Sequence, residues 1–147
     1  MTRVLPAKDV AQRLNEHLDD AAVALNEVDV LISPSAILDS CKFLKETPGL
    51  DFAFLTAITA VDYIEYFELI YHLLSMRNNH SVVLKTRVYE RDEPAVSSVT
   101  SVWQGADLQE REIWDLMGVR FEGHPNLKRI LLWEGFPGHP LRKDYIE

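Results

Sequence analysis

The sequence predicts an α+β fold: a two-layer domain with helices packed on a mixed, mostly antiparallel sheet, followed by an extended C-terminal tail. Three observations predict it. Apolar residues recur four apart near the N-terminus, which is helical spacing. Three successive stretches between residues 52 and 89 are rich in β-branched and aromatic side chains and alternate in polarity, which is strand spacing. The last stretch, residues 123–147, is punctuated by Gly123, Gly135, Gly138, Pro125, Pro137 and Pro140 and shows no periodicity at all.

Each element follows in order. Val10, Leu14 and Leu18 place one apolar stripe on a helix over residues 9–18. Residues 29–33 read as a short buried strand that Pro34 ends, and Ser35 is the expected N-cap of a second helix carrying Ile37, Leu38, Cys41, Phe43 and Leu44, stopped by Pro48 and Gly49. Strands are expected over residues 52–63, 66–76 and 81–89. Arg77, Asn78, Asn79 and His80 form the hairpin turn, because Asn tolerates the positive φ of tight hairpins. Residues 94–103 suggest a helix with Val96, Val99 and Trp103 on one side. A further helix starts at Asp107, where Glu110 completes a capping-box pattern, and stops at Gly118; Arg111 lies four residues before Asp115 on one face.

The chain of 147 residues is one domain in size, and 47% apolar residues suffice for a core. The net charge of −8 argues against generic phosphate binding. That charge is uneven: residues 123–147 carry Lys128, Arg129, Arg142 and Lys143 against Glu134, Asp144 and Glu147, while the rest is acidic. The expected division is therefore an α+β domain over 1–122 and an extended Gly/Pro-rich docking tail over 123–147. A single cysteine, Cys41, excludes an intramolecular disulfide and a multi-thiolate metal site, and reads as a small apolar helix residue. The N-terminus lacks an apolar run of signal-peptide length, and no stretch approaches a membrane span, so a soluble cytoplasmic location is expected.

No nucleophile elbow, phosphate loop or dinucleotide fingerprint is present. Gly-His-Pro occurs twice, around His124 and His139, and with Glu122 or Asp144 these could hold a divalent metal and activate water as in a free-standing hydrolase. Each His precedes a Pro, which enforces extended or turn backbone instead of a two-His helical face. A charged helix with Trp114 and Met117 as apolar anchors, running into an arm too short to fold alone, instead fits a docking surface on which the arm orders only against a partner.

The run from Glu110 through Arg111, Glu112, Ile113, Trp114, Asp115, Leu116, Met117, Gly118, Val119, Arg120, Phe121, Glu122, Gly123 and His124 to Pro125, continued by Lys128, Arg129, Ile130 and Leu131 and closed by Pro140, Leu141, Arg142, Lys143, Asp144 and Tyr145, resembles the signature of the 30 kDa subunit family of respiratory complex I, the C subunits of NADH-quinone oxidoreductase. Ser97, Trp103, Gly105, Ala106 and Asp107, and the strand around Tyr71, His72, Leu73 and Ser75, match it more weakly. Trp133, and Phe136 with Pro137, depart from the usual pattern.

The resemblance implies a peripheral-arm subunit of a proton-pumping NADH:quinone oxidoreductase, on the cytoplasmic side of a bacterial cell membrane and bound to it only through the complex. It implies that the chain takes part in an enzyme complex while holding no catalytic residue, metal or cofactor itself; NADH, FMN, iron–sulfur clusters and quinone belong to other subunits. The implied partners are a hydrogenase-like large subunit at the quinone site and the small subunit of the terminal iron–sulfur cluster. The docking residues it implies are Glu110, Arg111, Glu112, Trp114, Asp115, His124, Pro125, Lys128, Arg129, His139, Pro140, Arg142, Lys143, Asp144 and Tyr145. An equivalent subunit of a membrane-bound hydrogenase or another donor-dependent dehydrogenase complex is the alternative, and self-association of the isolated chain is a further expectation.

Overall fold

Three helices lie on one face of a six-stranded sheet. The computed structural model describes residues 2–146. The elements are β1 (Arg3–Val4), α1 (Ala7–His17), β2 (Ala22–Ala24), β3 (Asp29–Ile32), α2 (Ile37–Glu46), β4 (Phe54–Asp62), β5 (Phe67–Ser75), β6 (His80–Val88), β7 (Ala95–Ser97), α3 (Ala106–Met117) and β8 (Arg120–Glu122). Strand order is β2-β3-β6-β5-β4, with β1 added beside β6, and β7 pairs with β8 in a separate two-stranded ribbon. The β4–β5, β5–β6 and β2–β3 pairs are antiparallel, whereas β1–β6, β3–β6 and β7–β8 are parallel. The sheet is thus mixed and mostly antiparallel, as the polarity pattern predicts.

Strand β5 is the spine because both long neighbours pair along it. Phe67, Leu69, Tyr71 and Leu73 enter the core beneath the helices, where they meet Val10 and Leu14 of α1 and Ile37, Cys41 and Leu44 of α2. Each large apolar side chain buried this fully contributes roughly 1.5–3 kcal/mol. The intervening residues Glu68, Ile70, His72 and Leu74 occupy the other face, which no helix covers. The turn into β6 uses Asn79 at φ +55°, the conformation expected of that Asn. No helix of the described residues is long and apolar enough to cross a membrane.

Several local expectations are corrected. Residues 94–103 are not helical: Ala95–Ser97 form β7, and Val99 and Val102 are buried in the turn that follows. The three-residue spacing of the valines imitates a helix, yet β-branched residues pair just as well along β8. A short 3₁₀ turn, Pro34–Ala36, precedes α2, and Ser35 does not cap it. His80 is not a turn residue. It opens β6, buried against the Phe52 ring at 4.8 Å, with its Nε2 2.9 Å from the Leu50 carbonyl oxygen.

Candidate functional site

The residues that the sequence singles out converge on α3 and the chain that follows it. No side chain caps the start of α3, because Glu110 does not fold back on the helix. It is fully buried instead, accepting the Ser98 hydroxyl and the Val99 N–H (2.9 Å), and so fastens the loop after β7 to the helix. Burial pushes its carboxyl pKa up, while these two donors pull it back only in part. Trp103 closes the same loop by donating its indole N–H to the Phe52 carbonyl at 3.1 Å.

One turn beyond, the fully buried Asp115 gathers the tail. Its Oδ2 accepts the backbone N–H groups of Ile130, Leu131 and Leu132 at 3.1, 2.8 and 2.9 Å, and its Oδ1 accepts Arg129 Nη1 at 2.8 Å. Successive N–H groups wrapped on one carboxylate make an anion nest whose ligand is supplied by the chain itself. Burial raises the Asp115 pKa, but these donors outweigh it and hold the carboxyl below the usual range. Arg129 also reaches the Asp115, Phe136 and Gly138 carbonyls, at 2.9, 2.8 and 2.8 Å, so residues 129–138 close into a loop around one guanidinium. Arg111 does not pair with Asp115 along the helix. It donates to the Lys128 and Arg129 carbonyls, a longer reach that binds the tail.

His139 rests on the end of α3, with Nδ1 2.9 Å from the Asp115 carbonyl oxygen and its ring 4.9 Å from that of Trp114. This seat requires Gly118. The residue has φ +76°, and a Cβ there would lie 2.7 Å from the His139 ring. His124 is held at the opposite end of the helix by Asp107 (2.9 Å to Oδ1). The two anchors are eight residues apart, about 12 Å along the axis, so the two Gly-His-Pro histidines are not brought together.

A second buried carboxylate, Asp62 at the end of β4, fixes the end of the tail. It accepts the Lys143 N–H at 2.8 Å and a forked pair from Arg91 at 2.6 and 3.1 Å. Burial opposes its charge, but Arg91 and the backbone donors keep its pKa low. Asp144 bridges Arg142 (2.8 Å) and Arg91 (3.0 Å), and Arg142, then Arg91, bring its pKa down to about 2. Both guanidiniums lie over the Phe67 ring, at 4.4 and 5.0 Å. Tyr145 reaches back to the Pro137 carbonyl.

The tail therefore has anchors on its own body, in contrast to the expectation that it orders only against a partner: two buried carboxylates satisfy backbone that carries no regular structure. Of the expected docking residues, Glu110 and Asp115 are buried inside the chain, and Arg111, Arg129, His139, Arg142 and Asp144 spend their polar groups on it. Glu112, Pro125 and Lys128 remain exposed, and Trp114 and Pro140 are half-buried. Lys143 is exposed too, but the outward apolar surface comes from residues outside the expected set: Leu131, Trp133 and Leu141 are about three-fifths exposed. Arg91 and Asp62 were not singled out by sequence. The one cation within Glu90, Arg91, Asp92 and Glu93 is the only local hint, and nothing in the spacing links it to Asp62 or Asp144.

Residues 30–147 match the family described as respiratory-chain NADH dehydrogenase, 30 kDa subunit. The chain is 44% identical to the second NADH-quinone oxidoreductase C subunit of Rhizobium etli, over 92% of this chain and 73% of that protein. It is also 44% identical to the NADH-quinone oxidoreductase C subunit of Roseiflexus castenholzii, over 92% and 81% of the two chains. Among solved structures, a chain of the membrane-bound sulfane sulfur reductase, an archaeal respiratory membrane complex, superposes with a TM-score of 0.72 at 26% identity, covering 95% of this chain and 85% of that one.

Proposed function

This chain belongs to the 30 kDa subunit family of respiratory-chain NADH dehydrogenase, and we propose that it works as a non-catalytic peripheral-arm subunit of a proton-pumping NADH:quinone oxidoreductase, docked by its tail and the outer face of α3 onto the large quinone-site subunit, near the small subunit of the terminal cluster. Its role is to hold those subunits in register for electron transfer from NADH to quinone. Flavin, iron–sulfur clusters and quinone reside in the partners, on the cytoplasmic side of the membrane. One observation carries the docking reading: Leu131 and Trp133 are turned to solvent on a loop frame that Asp115 and Arg129 hold in shape, and Leu141, tied to the Leu116 carbonyl just beyond it, is exposed as well. A preformed frame lowers the ordering cost of association, and exposed Trp beside Leu is the composition of an interface anchor.

Co-expression with the neighbouring genes tests it. The double variant Leu131→Ser/Trp133→Ser changes only exposed side chains, so its melting temperature should match that of the wild type while co-purification of the large subunit is lost. Unchanged co-purification would remove the tail from the interface. The likeness to a chain of the archaeal sulfur-reducing complex favours one alternative, an equivalent subunit in a complex with another electron donor. The identity of the co-purified donor module separates the two.

A further inference from the structure

We propose that the sheet end formed by Tyr63, Ile64, Tyr66 and Tyr89 is a second docking surface, distinct from the tail loop that carries Leu131 and Trp133, and that its occupant is a Lys/Arg-bearing segment of a different protein subunit. The inference rests on the reading that the chain works within an assembly. The three tyrosines follow β4, precede β5 and follow β6, and they form a ladder across the three strands with ring centroids 5.3 Å apart at each step. The ladder continues the parity of Glu68 and Arg87, and so lies on the sheet face without helices. Tyr63 is 49% exposed, and Tyr89 and Ile64 are each 64% exposed. Contiguous aromatic and aliphatic surface of this kind marks an interaction site when its rim is polar.

The rim decides the occupant. Glu65, Glu90, Asp92 and Glu93 are all exposed around the ladder, and among the described residues no Lys or Arg pairs with any of them. Three nearby guanidiniums are committed elsewhere: Arg87 to Glu68, Arg91 to Asp62 and Asp144, and Arg142 to Asp144. That leaves the exposed Lys143, whose backbone N–H binds Asp62, as the cation at this end with no ion pair among the described residues. Four carboxylates against one lysine leave this end net negative, which repels nucleic acid and anionic lipid headgroups alike. They also oppose a second copy of this chain, which would bring the same four charges into the contact. A cationic segment satisfies them, and the rings are fitted to hold it. The guanidinium of Arg87 already sits 4.9 Å from the centroid of Tyr66, the geometry an incoming Arg would adopt on Tyr89 or Tyr63.

The test replaces Tyr89 by p-benzoylphenylalanine in the purified assembly, with the photo-crosslink mapped by mass spectrometry. The expected product joins residue 89 to a Lys- or Arg-rich segment of another subunit, and Glu65→Lys/Glu90→Lys/Asp92→Lys/Glu93→Lys lowers its yield about tenfold or more without changing co-purification through the tail. Should that variant fold poorly, Glu65→Lys/Glu93→Lys carries the same reading. A crosslink to a second copy, to lipid or to an acidic segment overturns the proposal, as does no crosslink or a yield indifferent to charge reversal. These outcomes leave the subunit role intact as long as the chain co-purifies with its neighbours; if it does not, both readings fall.

Discussion

Tyr71 carries a hydroxyl to the centre of the β5 face, fully buried, and no protein group among the described residues partners it. Burial, with Cys41 and Glu110 nearby, raises its pKa well above the ordinary value, so it stays neutral at every working pH. A buried donor without a partner costs about 1–3 kcal/mol, whereas the ring itself is ordinary core. Tyr71→Phe keeps the ring and removes the hydroxyl, and should therefore stabilise the chain by about 1 kcal/mol in urea melts. A loss of similar size would show that the hydroxyl has a partner that matters. The alternation of Phe67, Leu69, Tyr71 and Leu73 reveals the burial of this ring directly. It does not reveal that Glu68 and Glu110 are buried too, because a carboxylate in a periodic pattern reads as solvated until a donor from elsewhere reaches it.

At the scale of elements, legibility follows sequence distance. Helix α1 is plain from Val10 and Leu14, one turn apart, and the β5–β6 hairpin from Asn78 and Asn79 between alternating runs, since both are decided by neighbours. Strand β7 is not plain, because its partner β8 arrives only after all of α3. The tail is hidden for the same reason: Asp115 holds amides 15, 16 and 17 residues onward, and no periodicity marks such contacts. Their weight is open to measurement. Asp115→Asn keeps the shape but removes the charge facing Arg129, and breaking a buried pair in this way costs about 3–5 kcal/mol. The loss should fall on the tail. Hydrogen exchange at the amides of residues 130–132 and 141 should rise to near-unprotected rates while α3 and β5 stay protected. Protection unchanged at 130–132 would show that the loop has other anchors.

For the whole molecule, charge links the tail to the body with opposite signs at different sites. Asp62, Asp115 and Asp144 have lowered pKa values, so their contribution is complete above the ordinary Asp range and is lost as pH falls through the lowered values, about 2 in the case of Asp144. Glu110 has a raised pKa, so its contribution is complete below the ordinary Glu range and is lost as pH rises through the raised value. Acid therefore acts first on the tail, whose fixing depends on three charged carboxylates, while the loop that Glu110 fastens keeps its support. Between about pH 4 and pH 2 the amides of residues 130–132 and 143 should lose protection before the core of β5 does. Asp144→Asn should weaken the tail already at pH 7 and flatten this acid transition. Glu110→Gln tests the opposite sign: it retains an acceptor for the Val99 N–H but cannot ionise, so any fall in wild-type stability as pH rises above the ordinary Glu range should shrink in the variant. A single acid transition in which tail and β5 lose protection together would mean that the two carboxylate anchors are part of the body's own cooperative unit rather than a separable clasp.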